Sequence, residues 1–230
     1  QNFYNDDENS FTYLSMTGIE KEYYGIEAGL DFKVASFLNF KAIGTISDAK
    51  NINNANVNYM LSKSAEVVKD YAYIKDMRES GTPLTIGSLA LDFHKSGWFV
   101  NLNANWYDRI YLSYSPSYRY KSSLKNRDML FNDEPLPGSV DQAKGHGGWM
   151  VDGSIGKSIR LKHGSLNFNL MITNILNNRK IVSGGYEQSR SDYTLNKENE
   201  AKDRVYKFSK NPKKYYVFGT NGMFQVSYRF

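Results

Sequence analysis

Three histidines and no cysteine limit the chemistry open to this 230-residue chain. His94 and His163 each stand beside a lysine, Lys95 and Lys162, in what read as short turns, and His146 sits in Gly145-His146-Gly147-Gly148. Imidazoles so dispersed argue against a metal site or a histidine-based triad. The glycines around His146 form no phosphate cradle, because a strand rather than a helix follows them. Without cysteine there is no disulfide framework, no thiolate zinc site and no thiol nucleophile. Asp6-Asp7-Glu8 reads as a solvated acidic tip. No catalytic residue, metal site or cofactor is therefore expected, and the chain is not read as an enzyme.

Binding chemistry is better supplied. Tyr107, Tyr111, Tyr114, Tyr118 and Tyr120 cluster with Arg109 and Arg119 where a strand runs out into a loop. Tyrosine rings beside guanidinium groups suit sugars, porphyrins, peptides or aromatic chelators. The plainer reading of the same seven residues, and the favoured one, is an outer aromatic girdle plus a structured loop.

Those residues need elements to hold them, and period-two alternation supplies the pattern. Trp98, Val100, Leu102, Ala104 and Trp106 take one face of a strand, and Asn101, Asn103 and Asn105 take the other. Three asparagines in register do not suit a dry core but suit a wet cavity. The two tryptophans lie about 20 Å apart along a bilayer normal for a strand tilted by about 40°, close to the apolar band of a membrane barrel. Further strands are expected over 11–18, 24–34, 38–46, 84–93, 149–159, 165–176 and 215–230, eight in all. Their connections alternate between short turns (35–37, 94–97, 160–164) and long loops (47–83, 108–148, 177–214). Short turns at one rim and long loops at the other are the habit of outer-membrane barrels, whereas a compact soluble domain tolerates such loops poorly.

Composition fits that reading. No run of 18 apolar residues exists, so a helical span is excluded. Aromatics reach 15%, with 18 tyrosines, an excess that interfacial girdles would use. The net charge of +5 is concentrated in 197–214, where acidic residues interrupt it, and this reads as a solvated loop rather than a nucleic-acid surface. Gln1-Asn2-Phe3-Tyr4 has neither the basic nor the apolar part of a signal peptide, so the chain reads as processed or as part of a larger protein.

At the other end Phe224, Val226, Tyr228 and Phe230 alternate with Gln225, Ser227 and Arg229. This ending resembles the assembly signal of bacterial outer-membrane proteins that the barrel-assembly machinery reads. Met171-Ile172-Thr173-Asn174-Ile175-Leu176-Asn177-Asn178-Arg179-Lys180, with a Gly-rich, Tyr-bearing loop and that last strand, resembles the end of TonB-dependent outer-membrane transporters. Gly18-Ile19-Glu20 through Tyr24-Gly25-Ile26-Glu27-Ala28-Gly29-Leu30 is similar to another stretch of the same family. The style is closest to members with a carboxypeptidase-like leading domain.

The resemblance implies an all-β, antiparallel transmembrane β-barrel. Residues 1–230 would form a single C-terminal part, about eight strands of about 22. On that resemblance the plug and earlier strands would lie outside this chain. It implies uptake of a scarce nutrient (oligosaccharide, peptide, siderophore or haem-like ligand) across the bacterial outer membrane by energy-coupled plug movement. Implied partners are outer-membrane lipid, a TonB-type energy-transducing complex reached through the absent part, and a surface lipoprotein. The loop residues Lys210, Lys213 and Lys214 suit lipopolysaccharide phosphates. Two rivals stay open: a self-contained eight-stranded barrel with a structural or adhesive role, and a soluble all-β binding module.

Overall fold

Alternating segments become long antiparallel strands, because period-two sequences give each strand one apolar and one polar face. The computed structural model describes residues 2–5, 10–62, 64, 66–187 and 212–230. In chain order its strands are β1 (Asn2–Asn5), β2 (Ser10–Thr17), β3 (Lys21–Ala35), β4 (Leu38–Asn51), β5 (Ala55–Leu61), β6 (Val67–Ala72), β7 (Thr85–Lys95) and β8 (Trp98–Asp108). They continue with β9 (Leu130–Phe131), β10 (Glu134–Pro135), β11 (Gly148–Leu161), β12 (Gly164–Thr173), β13 (Val182–Glu187), β14 (Pro212–Tyr216) and β15 (Asn221–Arg229). A 3-10 turn, Pro116–Arg119, and one short helix, α1 (Lys121–Lys125), complete the described elements.

The largest sheet has seven strands in the order β15-β12-β11-β8-β7-β4-β3, each antiparallel to its neighbour. Register keeps the two faces distinct across the whole meander. Leu30, Ala42, Leu89 and Ala104 form one cross-strand row, and Phe93, Val100, Ile155, Leu170 and Phe224 form another on the same side. The opposite side carries Asp92, Asn101, Ser154, Asn169 and Gln225. The asparagines are partnered across strands: Asn101 Nδ2 donates to Asp92, Ser154 Oγ donates to Asn101 Oδ1, and Ser88 Oγ donates to Asn105 Oδ1.

The turns between β3 and β4, β7 and β8, and β11 and β12 are each two residues long and lie at one rim. Between β7 and β8, Ser96 (φ 52°) and Gly97 (φ 77°) make the doubly left-handed turn that matches strand twist. A Cβ on Gly97 would stand 2.5 Å from the Ser158 carbonyl oxygen, so only glycine fits there.

At the opposite rim the long connections fold. β5 and β6 form a hairpin that joins β1 and β2 in a second sheet, ordered β1-β2-β5-β6. Under it lies the largest buried apolar cluster, containing Leu14, Val57, Ile74, Met77 and Tyr120. Smaller clusters form around Leu124 and Met129 and around Leu112, Ala143 and Val182. Among the described residues the buried core thus lies mainly in β2 and the long connections, while the sheet's apolar face stays open.

Three expectations need correction. The segment 11–18 is a strand, β2, but it does not join the large sheet, which therefore has seven members rather than eight. Its inward residues Leu14 and Met16 are taken up by the loop cluster instead. The connections 47–83 and 108–148 are not structureless, since they carry β5, β6, α1, β9 and β10. The expected strand 215–230 is two strands, β14 and β15, interrupted at 217–220, where Asn174 and Asn177 bind its backbone.

Candidate functional site

The seven residues singled out for ligand binding do come from one region, but most of them hold it together. Arg119 is fully buried, and its five N–H donors are all used. Nη1 and Nη2 reach Glu187 Oε2 and Oε1 at 2.6 and 2.8 Å, and three carbonyls (Val140, Ser115 and Asp141) accept the rest. Glu187, also fully buried, accepts further from the backbone N–H groups of Ser115 and Ala143. This pair ties the connection after β8 to the end of β13.

Arg109 donates through Nη1 to the Ser47 carbonyl and pairs through Nη2 with Asp48 Oδ1, at 2.7 and 3.1 Å. Arg78 holds the same carboxylate in a fork, 2.8 Å to Oδ1 and 3.2 Å to Oδ2. Tyr111 is buried, with the Arg78 and Lys144 cations about its ring at 5.0 and 5.4 Å. Gln142 fastens the arrangement, accepting from Arg78 N–H and donating to the Arg78 and Leu112 carbonyls.

Tyr120 stacks on Tyr59 with ring centroids 5.3 Å apart, and burial pushes its phenol far above the usual range. Its hydroxyl has no hydrogen-bond partner among the described residues. Tyr114 is half-buried, lies over the Arg119 guanidinium, and accepts from Asn51 Nδ2 at 2.9 Å. Tyr118 is half-buried with Arg127 6.0 Å from its ring, and Tyr107 closes the polar side of β8.

The motif that carries the family resemblance proves to be a junction. Asn174 and Asn177 take left-handed φ values of 49° and 50°. Asn174 Nδ2 donates to the Phe218 and Asn178 carbonyls, its Oδ1 accepts from Asn178 N–H, and its N–H donates to Asp152. Thr220 donates to the Asn174 carbonyl through Oγ1 and to Asn177 Oδ1 through N–H. One turn thereby locks the entry of β11 and the exit of β12 to the entry of β15.

The proposed assembly residues Phe224, Val226, Tyr228 and Phe230 stand exposed, with the first three in register with β12's apolar row. Lys213 lies on β14, while Lys210 and the acidic tip 6–8 fall outside the described residues. Sequence reasoning missed Asp48, Arg78, Gln142 and Glu187. Nothing local marks them, since the Arg119–Glu187 partners are 68 residues apart.

The geometry that most needs explaining is the open apolar face. Ile26 is 79% exposed and Phe224 63%, and Leu89, Leu102, Trp149, Ile155 and Val226 are all exposed as well. No residue of that face belongs to a buried cluster among the described residues. Trp106 and Trp149 contact each other near the loop rim, 5.4 Å between centroids, and Trp98 stands at the turn rim beside Lys157. Comparison with protein-family models, curated proteins and solved structures finds no match.

Proposed function

We propose that the chain is the C-terminal barrel portion of a TonB-dependent transporter in the bacterial outer membrane, importing a scarce nutrient by energy-coupled plug movement. The observation that carries this reading is the apolar face, which no described residue covers over the seven strands and which tryptophans bracket at both rims. An uncovered apolar surface of that extent is unfavourable in water and ordinary in hydrocarbon. A soluble binding module would bury those indoles and leucines against a second layer. Seven strands, with no partner for the outer edge of β3 or β15 among the described residues, support part of a larger barrel over a self-contained eight-stranded one. The polar face then lines an interior that holds the plug, and the folded loops stand outside the cell. Catalysis has no part in it: the chain contributes binding and coupled conformational change.

All three tryptophans of the chain lie on the apolar face. The test reconstitutes the whole protein in phosphatidylcholine vesicles with brominated acyl chains and compares it with Trp98→Phe, Trp106→Phe and Trp149→Phe variants. The emission lost in each variant should be the bromine-quenched part. Emission quenched by aqueous iodide but untouched by bromine refutes the membrane reading. A structure of the whole protein in lipid then decides the class. A plugged barrel of about 22 strands supports the transporter, and closure by these strands alone overturns it.

A further inference from the structure

The loops that bury Arg119, Tyr111 and Tyr120 leave a different set of side chains outside. Tyr23 stands near the loop rim on the polar side of β3 and is 63% exposed. Its hydroxyl donates to Glu79 Oε1 at 3.2 Å, and Lys21 pairs with the same carboxylate. The neighbouring Ser80 hydroxyl meets the Ser113 hydroxyl at 2.9 Å. Ser113 bridges Tyr186 in parallel register, so the two side chains project to one side. Tyr215 follows on that side of the β13–β14 hairpin, its ring centroid 6.2 Å from Tyr186. The Tyr186 hydroxyl raises Tyr215's phenol above its ordinary value. Tyr186 and Tyr215 are both exposed, while Glu187 on the reverse side of the hairpin is clamped by Arg119.

This is a continuous strip contributed by β3 and all three long connections, beginning on the polar face rather than the membrane face. Its chemistry is consistent along its length: three phenol rings with hydroxyl tips, two serine hydroxyls, and one carboxylate already neutralised by Lys21. Aromatic faces meet the C–H faces of sugar rings, and fixed hydroxyl and carboxylate groups exchange hydrogen bonds with sugar hydroxyls. Lys213, opposite Tyr186, is an exposed cation that makes no ion pair among the described residues, placed for an acidic sugar unit. Among the described residues there is no cage for a compact, highly charged ligand.

We propose that Tyr23, Glu79, Ser80, Ser113, Tyr186 and Tyr215 form an outer platform for an extended sugar chain. The proposal rests on the transporter reading for its orientation toward the interior and names the ligand class that the reading leaves open. Because Tyr186 and Tyr215 stand on a clamped hairpin and Tyr23 on a strand of the large sheet, the platform is formed before ligand arrives, which lowers the ordering cost of binding.

The test uses the whole protein in detergent on an array of neutral and uronate-bearing oligosaccharides of four to eight units. Affinities for any hit are then measured by calorimetry. Tyr186→Ala and Tyr215→Ala should each weaken binding about tenfold or more, and Tyr23→Ala by a smaller factor. Tyr13→Ala, on the outer side of the second sheet, should leave affinity unchanged. Binding undiminished by the first two substitutions overturns the site, and an array without a single hit overturns the ligand class. Thermal midpoints of all variants are taken alongside, so that a folding defect is recognised. The bromine-quenching result is independent of either outcome, and failure of the platform is therefore distinguishable from failure of the membrane reading.

Discussion

Lysine placed on the two sides of β8 gives opposite expectations. Leu102 lies four positions from both Trp98 and Trp106, and points to the open apolar side between Leu91 and Gly153. At about 3.3 Å per residue and a tilt of about 40°, it is about 10 Å from either tryptophan level, near the middle of the proposed apolar band. Lysine at a bilayer midplane costs a barrel about 2–4 kcal/mol, and near the interface about 0–1. Leu102→Lys should therefore lower the folding equilibrium constant by about 30- to 700-fold, since about 1.4 kcal/mol is tenfold. Trp106→Lys, at the rim, should cost less despite removing a larger side chain from the interface. Asn103→Lys points the other way and lies opposite Asp152, where it should stay within about 0.5 kcal/mol of the parent. The measurement is guanidinium unfolding of the whole protein from phosphatidylcholine vesicles, followed by tryptophan emission. Equal losses for Leu102→Lys and Asn103→Lys would mean that the two sides see the same solvent, and the membrane argument would fall.

Three further expectations concern the loops. Glu187→Gln leaves a buried guanidinium without its counter-charge, so the loop assembly should weaken by about 3–5 kcal/mol. Amide exchange at 112–124 and 182–187 should accelerate while β8 and β11 stay protected, and unchanged exchange would show that the clamp is idle. Tyr120→Phe removes an enclosed, unpartnered hydroxyl and should stabilise the assembly by about 1 kcal/mol rather than weaken it. The raised phenol also predicts a pH effect: its contribution is complete below the unfolded tyrosine value of about 10 and is lost as pH rises further, because only the unfolded chain releases the proton. Alkaline melting curves should therefore flatten in Tyr120→Phe, and identical curves would refute the assignment. Asn174→Ala strands the Phe218 carbonyl and Asn178 N–H and should cost about 1–3 kcal/mol, read as a lowered thermal midpoint.

Strand positions in the large sheet were legible because alternation is a local property with a period of two. Trp98 to Trp106 announces both the strand and its two environments, and each of the three short turns falls inside its expected range. The loops were not legible in the same way. The expected strand 11–18 and the long connections 47–83 and 108–148 together hold the only extensive buried core among the described residues, because Leu14, Val57, Ile74 and Tyr120 are far apart in sequence and only folding brings them together. The residues singled out for binding show the same limit. Tyrosine and arginine content marks a connection that folds, but composition cannot say which rings turn inward. Arg119 and Tyr120 became structural, whereas Tyr23, Tyr186 and Tyr215 remained outside.

The chain's own order of residues determined its all-β character, the faces of its long strands and the rim at which the turns lie, since each follows from backbone geometry within a few neighbours. Only the tertiary structure decided that β2 leaves the main sheet, that Asn174 breaks the last strand in two, and that Glu187 meets Arg119. Those outcomes depend on satisfying buried polar groups and apolar surface across tens of residues, a condition that no local pattern records.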